Sequence, residues 1–414
     1  MSMTTSSFQT LGLTKPTLEA VSHLGFTEPT PIQAQAIPSG VQGRDLLAAA
    51  QTGTGKTLAY LLPIFDRMIR HYGAKRPKKS GPYALILAPT RELAQQISDT
   101  AKVIAEVTKF RVQTVIGGKK YKTQIAGLKR GCDILIATPG RLIDLMDQHA
   151  VKLNFVHYLV LDEVDRMMDM GFWPSVHRIV RSTPAKRQTF LLSATLTPEV
   201  RAKAQLVQTD PITIEIAHKG ETADTVHEYV LPVSERQKAD LLVALLKEKG
   251  GDRVIVFTKT KQAADSCSRR LQEANIKSDS IHADKPQSKR DKALRNFREG
   301  KIDVLVATDV LARGIDVNDV SYVVNYTVPE SPEDYIHRIG RTGRAGESGA
   351  AYTFLSPGEL LAFRDIEYYT HHLLEPYDVK GFKYSPDRLI PNPKRPTKRG
   401  VSIGGARRLS LRRR

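Results

Sequence analysis

Between residue 44 and about 216, short apolar runs alternate with segments whose apolar positions recur at helical spacing. The runs are "DLLAAA", "YALILAP", "VQTVIGG", "CDILIATPG", "YLVLDE", "TFLLSAT" and "ITIEI". Their length and near-continuous apolar character predict buried strands. Segments such as "RELAQQISDTAKVIAEV" and "PEVRAKAQLVQ" lie between them and predict helices. Apolar strands separated by helices argue for a parallel sheet covered on both faces. The polar stretch "AHKGETADT" (217–225) breaks the pattern and reads as a linker. Alternation resumes with "VIVFTKT", "SDSIHAD", "DVLVATD", "SYVVNY" and "AAYTFLS", again separated by helices. The expected fold class is α/β: an N-terminal domain over 1–216, a C-terminal domain over 226–375, and a basic tail over 376–414. No short repeat is visible, only two units of similar build in tandem.

Composition supports this division. At 414 residues the chain exceeds the size at which a single core keeps growing. A content of 41% hydrophobic and 26% charged residues is that of a soluble globular protein. The net charge is +18, and residues 376–414 hold 12 Lys/Arg against only Asp378 and Asp387. A basic tail with several Pro and Gly predicts disorder in isolation. On a basic body it also suggests a polyanionic partner, nucleic acid ahead of anionic membrane. Cys132 and Cys267 are far apart and no Cys/His cluster occurs, which argues against a zinc site or disulfide framework and fits a reducing compartment. The N-terminus "MSMTTSSFQT" lacks a basic and an apolar signal region, and no apolar run approaches the ~20 residues of a membrane helix. A cytoplasmic location with no membrane contact is expected.

The first chemistry-bearing motif is "AAAQTGTGKT" (48–57), which follows a predicted strand and precedes the helical "LAYLLPIFDRMI". It meets the phosphate-loop pattern except at its first position, where Ala50 replaces Gly. Gln51, Thr52, Gly53, Thr54 and Gly55 would turn backbone N–H groups toward phosphate oxygens, and the helix N-terminus adds its positive end. Lys56 would neutralise the β/γ-phosphates, and Thr57 would place its hydroxyl on Mg²⁺.

"VLDEVDRM" (160–167) ends an apolar run in Asp162, Glu163 and Asp165. Taken alone it reads as a solvated turn, as an acidic helix start, or as a metal-and-water site at the edge of a parallel sheet. A phosphate loop needs a second Mg²⁺ partner on a neighbouring strand, and that need favours the last reading. Asp162 would then hold Mg²⁺, directly or through water, and Glu163 would orient and deprotonate the attacking water.

With these motifs the chain resembles the DEAD-box ATP-dependent RNA helicases over about residues 8–375, and the compact length suggests the bacterial, RhlE-like members. The family tetrad stands here as Asp162-Glu163-Val164-Asp165. Val for Ala adds bulk worth about 1–3 kcal/mol in a close-packed wall unless neighbours adjust, which bears on coupling rather than on the chemistry. The resemblance implies two RecA-like domains, ATP and Mg²⁺ as cofactors, and RNA as partner. "GFTEPTPIQ" (25–33) is similar to the adenine-reading motif, with Gln33 on the adenine edge, Phe26 stacked on the ring and Phe8 as the upstream aromatic. "APTRELA" (Pro89, Thr90, Arg91), the pair Gly117-Gly118, and "TPGR" (Thr138, Pro139, Gly140, Arg141) match the family's contacts to the RNA backbone. None addresses base edges, so sequence-independent binding is implied. "SAT" resembles the coupling motif, and the resemblance gives Asp165 a task, hydrogen bonding to Ser193 or Thr195 and to His337 when the domains close. In the second half, "VFTKT", "ATDVLARGIDV" and "YIHRIGRTGRAG" match further motifs. Thr308 is then an RNA contact, Asp316 a ribose ligand, and Arg341 and Arg344 arginine fingers. "HADKPQSKR" is a looser match, placing Gln287 and Arg290 at RNA positions although Ala283 and Lys285 depart from the common pattern.

Lys56, Thr57, Asp162 and Glu163 precede the linker, whereas Asp316, Arg341 and Arg344 follow it. Neither half is then expected to hydrolyse ATP well alone, and ATP and RNA are expected to strengthen each other's binding. The implied action is local, sequence-independent unwinding of short duplexes or remodelling of RNA–protein complexes by a monomer. Ribosome assembly and RNA turnover are the settings the resemblance suggests. The alternatives are an ATP-gated RNA clamp with weak turnover and a DNA helicase, since 2′-OH contacts cannot be read from sequence. The tail is expected to tether RNA through its charge.

Overall fold

The computed structural model describes residues 7–50, 54–73, 81–216, 226–309, 320–343 and 348–386, with 388–392, 394, 396 and 407–408. The chain divides into two compact units, Met1–Ala217 and His218–Arg414. In the first, the apolar runs form β1 (Leu46–Ala49), β2 (Ala84–Leu87), β3 (Val112–Val115), β4 (Ile134–Ala137), β5 (Tyr158–Leu161), β6 (Gln188–Ser193) and β7 (Ile212–Glu215). They make one sheet in the order β3-β4-β2-β5-β6-β1-β7, with every pairing parallel.

Strand side chains alternate between faces, so a strand buried on both sides feeds two cores. Leu46 and Ala48, Ala84 and Ile86, Ile134 and Ile136 enter one cluster. Leu47, Leu85 and Leu87, Leu135 and Ala137 enter the other. Helices α1 (Lys15–His23), α2 (Pro31–Val41), α3 (Lys56–Tyr72), α4 (Arg91–Thr108), α5 (Tyr121–Arg130), α6 (Pro139–Asp147), α7 (Val164–Asp169), α8 (Trp173–Arg181) and α9 (Pro198–Gln205) complete the layers.

The second unit holds β8 (Val226–Pro232), β9 (Val254–Thr258), β10 (Ser278–Ile281), β11 (Val304–Thr308), β12 (Tyr322–Asn325), β13 (Gly349–Leu355) and β14 (Glu375–Pro376). Its sheet order is β10-β11-β9-β12-β13-β8-β14, again parallel throughout. Counted from the first strand of each unit, the two orders are the same. β8 has no counterpart among the apolar runs of the sequence, because His227 and Glu228 interrupt it.

The chain past β14 stays on the second core beyond the boundary expected at 376. Val379 joins the buried cluster, and Tyr377, Phe382 and Tyr384 pack against it. Gln237 holds this segment through its side-chain amide, donating to Lys383 O at 2.9 Å and accepting from Ser385 N at 2.9 Å. The aromatic side chains supply burial that the basic, Pro-rich composition conceals. The terminal clusters at 397–406 and 409–414 lie outside the described residues.

Candidate active site and nucleic-acid interface

In a parallel sheet every strand points its carboxyl end to the same edge, and loops at that edge carry the ligand contacts. The order of the first sheet sorts the motifs. β5, β6 and β1 lie side by side and lead into the acidic tetrad, "SAT" and the phosphate loop. β3, β4 and β2 form the other half and lead into Gly117-Gly118, "TPGR" and "APTRELA". The acids therefore stand between the loop after β1 and the three Gly- and Pro-containing loops after β2, β3 and β4.

Ala50 leaves β1 with its N–H on Ser193 O at 3.2 Å. Gln51, Thr52 and Gly53 lie outside the described residues. Gly55 caps α3 in the left-handed region at φ 89°. A Cβ there would stand 2.4 Å from Gln33 Nε2, so the position demands glycine on two counts. Lys56 opens α3, is 7% exposed, and its Nζ has no hydrogen-bond partner among the described residues. Thr57 follows in the first turn. A buried ammonium at a helix N-terminus with no acceptor among the described residues is suited to an anion.

Asp162 directly follows β5 and is buried. Its N–H is held on Leu87 O at 3.0 Å, and its Oδ2 accepts from the fully buried Tyr60 hydroxyl of α3 at 2.9 Å. Oδ1 has no partner among the described residues. Burial pushes this carboxyl up to about 6, with the Lys56 charge pulling it the other way. A carboxylate so placed gains from a cation. No group of three or more His, Cys, Asp and Glu suited to a metal ion exists among the described residues. The open Oδ1 of Asp162 and the Thr57 hydroxyl are a donor set that fits Mg²⁺, which takes one or two carboxylates and completes its shell with phosphate and water.

Glu163 adopts the left-handed conformation at φ 55°, which costs a non-glycine residue about 1–2 kcal/mol. Its Oε2 accepts from Arg166 Nη1 at 3.2 Å, and both side chains are buried. The i,i+3 spacing at the start of α7 brings the two together. Val164 is fully buried in the cluster that holds Leu87, Leu161, Met167 and Leu191, so its extra bulk points into the apolar layer. Asp165 Oδ2 accepts from the N–H of Ala194 at 2.8 Å. One partner of Asp165 is thus the backbone of the middle residue of "SAT". The Ser193 hydroxyl, an expected partner, is buried with no hydrogen bond among the described residues.

Two of the adenine-side residues are buried. Gln33 is 2% exposed, and both ends of its amide are used within the protein: Oε1 accepts from Thr30 N at 3.0 Å, Nε2 donates to Gly55 O at 3.1 Å. It ties α2 to the phosphate loop. Phe8 packs into the core cluster that holds Leu11, Leu13 and Val21, because the chain turns inward there. Phe26, by contrast, is 48% exposed and presents its ring to solvent.

At the ends of β2, β3 and β4, Arg91 opens α4 beside Gly117, where a Cβ would come within 2.9 Å of its Nη2. Gly118 has φ 78°. Arg141 Nη1 donates to Lys119 O at 2.8 Å, so the glycine pair runs between two guanidinium groups. Thr90 caps α4 by accepting from Leu93 N, and Pro89 and Thr90 are buried. Thr138 and Pro139 begin α6 and are also buried, while Gly140 and Gly118 are exposed.

In the second unit, Thr308 ends β11 and is buried. Gln287 and Arg290 bond each other at the start of helix Gln287–Arg298, Gln287 also reaching Asp291 at 2.9 Å. His337 lies on helix Pro332–Ile339, and Arg341, just beyond it, is buried. Asp316 and Arg344 lie outside the described residues. Arg338, which sequence reasoning passed over, is buried and bidentate on Asp309 at 2.6 and 2.7 Å, with further bonds to Asn325 Oδ1 and Thr327 O. It fixes "ATD" to "HRIGR". Tyr60 and Arg166 were missed as well; for Arg166 the i+3 spacing from Glu163 was a usable signal.

The family model described as DEAD/DEAH box helicase matches residues 30–203, and that of the helicase conserved C-terminal domain matches 237–346. The chain is 41% identical over 370 residues to a DEAD-box ATP-dependent RNA helicase CshA of Geobacillus kaustophilus, covering 89% of this chain and 78% of that one. It is 46% identical over 354 residues to DEAD-box ATP-dependent RNA helicase 20 of Arabidopsis thaliana, covering 84% and 70%. Among solved structures, S. cerevisiae Dbp5 bound to RNA and ADP BeF3 superposes with a TM-score of 0.80 at 31% identity, covering 90% of this chain and 96% of that one.

Proposed function

The chain belongs to the DEAD-box family of ATP-dependent RNA helicases, and we propose from that premise how its residues divide the work. Lys56 and the loop backbone bind the ATP phosphates. Glu163, held by Arg166, takes the proton of the attacking water. Arg341 and Arg344 meet the charge that develops on the transferred phosphoryl group. Thr57 and Asp162 would hold Mg²⁺, which when bound supplies charge neutralisation across the β- and γ-phosphates. Phe26 stacks on adenine, Gln33 braces the loop from behind, and Asp316 takes the ribose.

RNA runs over Arg91, Gly118 and Gly140-Arg141, with Thr308, Gln287 and Arg290 contributing from the second half. Asp165, Ala194, Ser193, Thr195 and His337 link nucleotide state to RNA grip. The action is local, sequence-independent unwinding of short duplexes or remodelling of RNA–protein complexes by a cytoplasmic monomer, in ribosome assembly or RNA turnover. The basic C-terminal clusters tether RNA.

The observation that carries this reading is the sheet order, which sets the acids of β5 between the phosphate loop and the Arg91/Arg141 clamp on the glycine pair. ATP turnover measured without nucleic acid, with single-stranded RNA and with DNA of the same sequence tests it. RNA alone is expected to stimulate. Equal stimulation by DNA contradicts the RNA assignment, and binding without turnover reduces the protein to a clamp.

A further inference from the structure

Residues 119–122 read Lys-Lys-Tyr-Lys and begin α5 directly after the glycine pair. Tyr121 is 38% exposed, so its ring is accessible from solvent. It is also held still. The Arg141 guanidinium carbon stacks 4.0 Å from its centroid, and its hydroxyl donates to Asp144 Oδ2 at 2.8 Å. Arg141 is itself bonded to Lys119 O, and Lys119 Nζ donates to Gln95 Oε1 at 2.9 Å. Lys120 and Lys122 are exposed on either side. The acid facing the ring is Asp144, which the hydroxyl and Arg141 both approach.

A pre-positioned aromatic ring amid lysines matches the recognition chemistry of single-stranded nucleic acid: cations hold phosphates, and the ring takes the face of an unpaired base. The cation on one face of the ring strengthens the assembly. We propose that Tyr121 is a base-stacking site for one nucleotide of the bound RNA strand, set on Arg141 and flanked by Lys119, Lys120 and Lys122. This rests on the RNA-binding reading above and adds to it a base contact where the recognised motifs supply only backbone contacts. Stacking accepts any base, so the site adds grip without sequence preference.

The test uses the full chain, AMP-PNP with Mg²⁺, and fluorescent oligouridylate strands carrying one abasic nucleotide at successive positions. One abasic position is expected to weaken binding about 5- to 100-fold. Tyr121→Ala should weaken binding of the intact strand by the same factor and lose sensitivity to that position, while Tyr121→Phe keeps both. The slope of log affinity against log salt should stay as in the unaltered chain, because no phosphate contact is removed. Binding that is indifferent to every abasic position overturns the proposal, as does Tyr121→Phe behaving like Tyr121→Ala. An unaltered chain whose ATP turnover ignores RNA overturns the functional reading itself, a separate result.

Discussion

The hydroxyl of Tyr60 donates to Oδ2 of Asp162 across 2.9 Å, joining the helix after the phosphate loop to the strand that carries the acids. Both residues are buried, and the bond leaves Oδ1 as the atom with no partner among the described residues. The tyrosine thus fixes which carboxylate oxygen is left for a cation on the function proposed above.

Tyr60→Phe removes that donor and leaves a buried oxygen unmatched, at a cost of about 1–3 kcal/mol in stability. A lost bond behind a metal-binding carboxylate should also raise the Mg²⁺ concentration for half-maximal ATP turnover by about tenfold. Titrating Mg²⁺ at fixed ATP checks it. An unchanged Mg²⁺ requirement would mean that Tyr60 only fills space.

Gly55→Ala places a Cβ at φ 89° against Gln33 Nε2. The conformation alone costs about 1–2 kcal/mol. Because Gln33 must move, the loop loses its brace, and affinity for a fluorescent ATP analogue should fall at least about tenfold. Gln33→Ala, which removes the same brace, should weaken binding on its own and add little further loss in the Gly55→Ala background.

Arg166→Met leaves the buried Glu163 carboxylate without its cation, a change worth about 3–5 kcal/mol. Adding Glu163→Gln removes the stranded charge, so the double variant should be more stable than Arg166→Met alone. Urea unfolding of the four proteins gives the coupling. Simple additivity would show that the ion pair does not hold Glu163.

Glu367 provides a pH signature away from the site. Burial pushes its carboxyl up to about 7, with Arg364 working the other way. In the unfolded chain it ionises at about 4.3. Between these values the folded state holds the extra proton, so this group's contribution to stability falls as pH rises. Above about 7 the loss is complete. Glu367→Gln should therefore lose less stability than the unaltered chain between pH 5 and 7.5, measured by urea midpoint. Parallel curves would contradict the assignment.

The strands were legible because uninterrupted apolar runs such as "YALILAP" have few other uses, and the phosphate loop and acids because their chemistry fixes their spacing. Tyr60–Asp162 was not legible: 102 residues separate the partners, and only the side-by-side placement of β5, β6 and β1 brings them together. The bonds of Gln33 to Thr30 N and Gly55 O were not legible either, because its motif says what it is near and not which way its amide turns. The segment after β14 was read as tail from its charge, although Tyr377, Val379, Phe382 and Tyr384 carried an apolar signal. β8 was hidden by His227 and Glu228.

At the centre stands the claim that nucleotide and RNA favour one and the same state of the chain. Glu163→Gln, which should bind ATP without consuming it, allows this to be measured at equilibrium: RNA affinity with and without ATP and Mg²⁺, and ATP affinity with and without RNA. Each ligand should tighten the other by one common factor of about 5–150. RNA affinity that is the same with and without ATP would contradict the account.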